Sequence, residues 1–128
     1  MTPEAREHLD KARDYLTKAR AMLEIMHYSD EAARAAYLAG FHAAQALASE
    51  RTGRIAKSHS GMRSMFAQLA KDDPRIDRTA TRFLARAYRF KEIADYGTGP
   101  QAVVSITDAQ EAIDSAARFI DGITGLLE

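Results

Sequence analysis

An all-α antiparallel bundle of four to five helices is the fold class that this chain of 128 residues predicts. Three observations predict it. Apolar residues recur every three or four positions over long stretches, the spacing of one helix face. Punctuation falls between those stretches, at Gly53, Pro74 and Gly97-Thr98-Gly99-Pro100. The connections left between the stretches are short, which favours antiparallel neighbours.

Helix 1 is predicted over 3–27. Thr2 stands at the N-cap, Pro3 at the first helical position and Glu4 in the first turn. Leu9, Ala12, Leu16, Ala19, Leu23 and Met26 form its core stripe, while Glu7, Lys11, Asp14 and Lys18 face solvent. Helix 2 is predicted over 29–52, capped by Ser29, supported by Asp30 and Glu31, and ended by Gly53. It is rich in Ala, with Gly40 in its middle and Tyr37, Phe41, Ala44 and Leu47 on its core side. A mid-helix Gly costs about 1 kcal/mol, so a packing reason is expected, and close approach of a second copy is one. Arg54 to Ser58 is a basic connector. Ser58 or Ser60 caps helix 3, predicted over 59–72 with Met62, Met65, Phe66 and Leu69 inside.

Helix 4 is predicted over 75–95, with Ile76, Ala80, Phe83, Ala87, Phe90 and Ala94 on its core face. Arg78, Arg82, Arg86 and Arg89 form a narrow stripe away from that face, continued upstream by Arg75. Leu84, Tyr88, Lys91 and Asp95 fall on the far flank, roughly opposite the arginines. Gly97 to Pro100 stops the helix, with Gly free to form a left-handed cap. A short extended segment over Gln101 to Val104 precedes a capping-box-like Ser105-x-x-Asp108. Helix 5 follows over 106–127, with Ala109, Ala112, Ile113, Ala116, Phe119, Ile120, Ile123 and Leu127 inside.

The length fits one domain, 1–128. Charged residues make up 28% and apolar residues 46%, a balance suited to a soluble chain. No apolar run approaches a membrane span and no signal-peptide pattern opens the chain, so a cytoplasmic location follows by default. The absence of Cys excludes disulfides and thiolate metal sites. Net charge is zero but segregated: Arg51 to Lys91 holds 11 basic and 3 acidic residues, and the remainder 7 basic and 15 acidic. Either two complementary faces meet or a basic face awaits an anion.

Several side chains invite a functional reading. The arginines at 75, 78, 82, 86 and 89 have the footprint of a surface for nucleic-acid phosphate, and the plainer reading is a solvated face paired with acids. His59, at a helix start, can exchange a proton beside a bound anion or merely hydrogen-bond. His42 reads as half-buried, and His8 and His27 as surface residues. Glu24-x-x-His27 is half of a di-metal carboxylate pattern with no second copy, so no metal is expected. No motif for a bound cofactor is present either. Tyr88, Lys91, Asp95 and Tyr96 make a polar corner at the end of helix 4. Lys91 and Asp95 are spaced to pair, and a carboxylate beside a cation there can also serve a ligand.

AAYLAGFHAAQAL, KSHSGMRSMF, YRFKEIADY and DAQEAIDSAARFI together resemble the small prokaryotic HEPN-domain proteins, over about Leu9 to Leu127. The resemblance implies a HEPN-like helical bundle, usually a homodimer, often paired with a minimal nucleotidyltransferase. Catalytic members of that group are metal-independent ribonucleases or toxins carrying an Arg followed, four to six residues on, by a His. Arg89 matches the Arg, but Asp95 stands where the His is expected. Nearer relatives place a basic residue before Ala-Asp-Tyr, here Lys91. The resemblance therefore implies a module of a toxin–antitoxin or defence pair, acting on RNA, with Arg89 or Lys91 holding phosphate, Asp95 accepting a proton or orienting a partner, and His59 as the spare acid. The alternative is a non-catalytic module that docks a nucleotidyltransferase or a nucleotide. The departure at Asp95 leaves open whether the chain is an enzyme. Tyr96 is a candidate for modification by the partner.

Overall fold

Residues 1–97 and 103–128 are described by the structure, a computed structural model. Five helices and no strand are present among them: α1 (Pro3–Glu24), α2 (Ser29–Thr52), α3 (His59–Asp72), α4 (Arg78–Tyr96) and α5 (Ile106–Leu127). The all-α bundle expected from the spacing of apolar residues is thus the fold. The Thr98–Pro100 stop and the Gln101–Ala102 half of the expected extended segment lie outside the described residues. Val103 and Val104 form no strand.

Helix ends follow local chemistry. The side chains of Thr2, Ser58, Asp77 and Ser105 accept hydrogen bonds from the first-turn amides of α1, α3, α4 and α5. Gly53 ends α2 in the left-handed region at φ 72°. Four expected ends differ, the start of α4, at Arg78 rather than Arg75, among them. Helix α1 stops at Glu24, because His27 takes a left-handed backbone at φ 58° and the amide of Tyr28 turns back to the carbonyl of Met22. Met26 is consequently carried out of the core stripe and is 51% exposed. Ser29 is the first helical residue of α2 rather than its cap, and Tyr28 makes no side-chain capping bond. Gly97, expected in a left-handed cap, has extended backbone at φ −67° and ψ 146°.

Helix α2 is the axis and packs against each of the other four helices. That is why it is buried nearly all round and why Ala dominates it: small side chains let several helices come close at once. Gly40 admits the ring of Phe83 from α4; a Cβ there would lie 2.8 Å from Phe83 Cζ and closer still to Cε2. The packing reason expected for Gly40 is therefore found inside the chain, not in a second copy.

Inserting Phe83 at Gly40 also fixes the roll of α4. Phe83, Leu84, Ala87 and Lys91 are its buried residues, whereas Ile76, Ala80, Phe90 and Ala94 are only half-buried. The flank read from sequence as polar thus packs on α2, and part of the expected core face opens beside α5. The buried face of α5 is the expected one throughout.

The connector 53–58 runs back along α2. The carbonyl of Ala56 accepts from Gln45, and His59 lies against Tyr37, about four turns up from the end of α2. Helix α3 then descends to Asp73, whose carboxylate accepts from Arg51 at 2.8 Å and from Arg75 at 2.9 Å. α2 and α3 therefore run in the same sense, an exception to the antiparallel pattern. Arg75 belongs to this turn, not to α4, because Asp77 caps the helix two residues later. The two guanidinium groups hold the Asp73 carboxyl well below the usual carboxylate range.

Candidate functional site: a polar and aromatic cleft between α2, α3 and α4

The return of the connector along α2 brings the first turn of α3 against Tyr37 and against the inner flank of α4. His59 and Arg63 are one turn apart on α3 and share a face. Tyr37 and Phe41 on α2 and Tyr88 on α4 surround the imidazole, with ring centroids 5.4, 5.0 and 5.5 Å away. Arg63 lies over the Tyr88 ring at 4.1 Å.

Tyr37 is fully buried, and burial pushes its phenol up to about 12, so it keeps its proton. Its hydroxyl and His59 Nδ1 are 2.9 Å apart. Burial first, then the charges of Lys91 and Arg63, hold the His59 imidazole below its ordinary range. A protonated phenol donating to Nδ1 places the proton of the neutral ring on Nε2. His59 then presents an N–H, not a lone pair. The Tyr88 phenol is raised too, by its hydrogen bond to Glu92 and then by burial; Arg63 is close enough to both phenols to offset part of the rise, yet its Nη1 is buried without a hydrogen-bond partner. A buried, unmatched guanidinium nitrogen is costly, and an anionic oxygen is the group that would satisfy it.

The end of α4 supplies the next part. Lys91 is only 8% exposed, and its ammonium donates to Asp95 Oδ2 at 2.8 Å. Arg34 of α2 donates to Oδ1 of the same carboxylate at 3.0 Å. Burial opposes the charge on Asp95, but the hydrogen bonds and charges of Lys91 and Arg34 outweigh it and lower its pKa. The hydrogen bond to Asp95 raises that of Lys91 in turn. With both oxygens occupied by cations, Asp95 clamps α4 to α2 and is a poor proton acceptor. Tyr96 is 72% exposed, its ring 5.7 Å from the Lys91 ammonium.

Of the residues singled out in the sequence, His59, Lys91, Tyr88 and Asp95 are brought together. Arg89 is not: it is exposed on another side of α4 and forms no ion pair among the described residues. Arg75 is engaged by Asp73 and Arg86 by Glu111 at 3.0 Å, while Arg78 and Arg82 have no carboxylate partner among the described residues. Tyr37, Arg34 and Arg63 were missed. Tyr37 reads as core from its spacing. Arg63 carried a signal, its i,i+4 relation to His59. His42 is half-buried as expected, stacked on Tyr15 at 5.4 Å, with its pKa lowered chiefly by burial. His27 is exposed and His8 half-buried. No group of three or more His, Asp or Glu able to hold a metal, and no helix long and apolar enough to cross a membrane, occurs among the described residues. A groove of about 520 Å³ lies on a different face of α4, against α5, and does not open on His59. The titratable groups, not the volume, mark the cleft as the candidate site.

The chain belongs to the HEPN domain family, whose model matches residues 5–125. It is 33% identical over 120 residues to a UPF0332 protein of Gloeobacter violaceus, with 94% of this chain and 93% of that relative covered.

Proposed function

We propose that this HEPN-type module belongs to a toxin–antitoxin or defence pair and binds a phosphate group of RNA in the cleft formed by His59, Arg63 and Lys91. The observation that carries the reading is the buried Nη1 of Arg63, which lacks an acceptor. Around it stand a neutral imidazole that presents an N–H and the ammonium of Lys91, with the Glu92 carboxylate beside the Tyr88 phenol as their counter-charge. That balance supports binding over cleavage by this cleft: Nδ1 of His59 is engaged by Tyr37 and both oxygens of Asp95 by cations. Fluorescence anisotropy with a labelled single-stranded RNA is the test. Binding should fall with salt, and Arg63→Gln should weaken it about tenfold whatever the sequence. Equal binding by Arg63→Gln, or none at low salt, would refute the reading; RNA cleavage lost in His59→Gln would replace binding with catalysis.

A second reading, docking of a nucleotidyltransferase, is favoured by one end of the bundle. Ile25, Met26, Tyr28, Tyr96 and Ile106 are each more than half exposed. The Arg34–Asp95 pair and the bond from the Val104 amide to Asp30 join the ends of the helices that bear them. Clustered exposed apolar side chains are a mark of protein contact.

A further inference from the structure

The roll of α4 that opens Phe90 creates a groove of about 520 Å³ against α5. Its floor is Phe66, Phe83, Phe90, Phe119, Ile123 and Leu126. Its rim is mainly cationic: Arg82 and Arg86 on one wall and Arg118 on the other, against the carboxylates of Asp77, engaged by the Thr79 amide, and Glu111. Arg82 and Arg118 have no carboxylate partner among the described residues, and Glu111 answers Arg86 alone. From Glu111 to Leu126 the α5 wall runs four turns, about 22 Å. Gly122 lines that wall, and a Cβ there would meet nothing within 4 Å. Unlike Gly40, it admits no neighbour inside the chain, although Gly weakens an exposed helix.

We propose that this groove is a docking site for an acidic amphipathic helix of a partner protein. The apolar stripe of such a helix would lie on the phenylalanine floor, and Glu or Asp on its flanks would face Arg82, Arg86 and Arg118. Gly122 lets the backbone of the occupant come close. The elongated shape fits four turns of helix, and arginines separated by a hydrocarbon floor suit an amphipathic helix better than an RNA backbone, whose charge is continuous.

The test is selection from a displayed library of helical peptides about 18 residues long, five turns, with a fixed apolar stripe and randomised flanks. Enriched peptides should be acidic at the flanks. Their binding to the full chain should weaken about tenfold or more in Phe90→Asp and in Gly122→Leu, which adds bulk where space is open. Gly122→Leu should melt no lower than the parent and keep its RNA affinity, separating lost docking from lost folding. Enrichment of neutral or basic peptides, or no enrichment, overturns the proposal. So does self-association abolished by Gly122→Leu, which assigns the groove to a second copy, or RNA that protects Phe90 and Leu126 in spectra while peptides do not.

Discussion

Gly40→Ala should destabilise this protein, although in an isolated helix the same change is favourable by about 1 kcal/mol. The new Cβ would stand 2.8 Å from Phe83 Cζ, well inside the ~3.5–4.0 Å at which carbon atoms attract. The ring cannot simply retreat, because Phe119 packs behind it with centroids 5.0 Å apart. Either the ring leaves its rotamer or α4 moves off α2, and overpacking of this kind costs about 1–3 kcal/mol. Set against the propensity gain, the net loss should be about 1 kcal/mol, or roughly 3 °C in melting temperature at this size. Gly122→Ala is the internal control. Its Cβ meets nothing, so it should gain up to about 1 kcal/mol. Urea denaturation followed by far-UV circular dichroism compares the two directly. Phe83→Leu in the Gly40→Ala background should recover part of the loss, a coupling expected only for residues in contact. Equal stabilisation by both glycine replacements would refute the claim that Gly40 is what seats α4.

His42 and His59 both have lowered pKa values, so the folded chain binds fewer protons than the unfolded one near pH 6.5. Stability should therefore rise with pH through the imidazole range, and thermal melting of His42→Gln with His59→Gln should flatten that rise. Asp73, Asp77 and Asp95, also lowered, have the same sign of linkage in a more acidic window: their contribution is complete above the ordinary carboxylate range and is lost as pH falls through and below it, which an acid titration by circular dichroism would follow. Asp95→Asn should cost about 1 kcal/mol after solvent screening, since it weakens the hold on both Arg34 and a nearly buried Lys91. A mutant that melts like the parent would show that the clamp is dispensable.

Much of the fold was legible because its determinants are local. Thr2, Ser58 and Ser105 announce helix starts by their own chemistry, and Gly53 an end. What sequence spacing could not convey was the roll of α4, which depends on one ring entering one glycine of another helix. Spacing alone put Phe90 in the core and Lys91 at its margin, and the contact at Gly40 reverses them. The cleft was legible by halves for the same kind of reason. His59, Lys91 and Asp95 stand out as polar groups at helix ends. Tyr37 and Arg63 become their neighbours only because 53–58 climbs back along α2, and nothing in those residues alone fixes that direction. Met26 obeyed the period of α1 but lies past its end at Glu24, in the turn that leads to His27, where periodicity has no meaning.

Helix α4 is a shared wall. Leu84, Tyr88, Lys91 and Asp95 face the cleft, and Phe83, Phe90, Arg82 and Arg86 face the groove, somewhat under half a turn away. A rigid helix does not move one side only. Any occupant of the groove that rocks α4 on its Gly40 pivot changes the distance between Lys91 and His59, and thermodynamic reciprocity then obliges an anion at His59 to alter affinity in the groove by the same factor. Two faces that meet no common ligand are in this way written into a single equilibrium, with the pivot residue setting its stiffness.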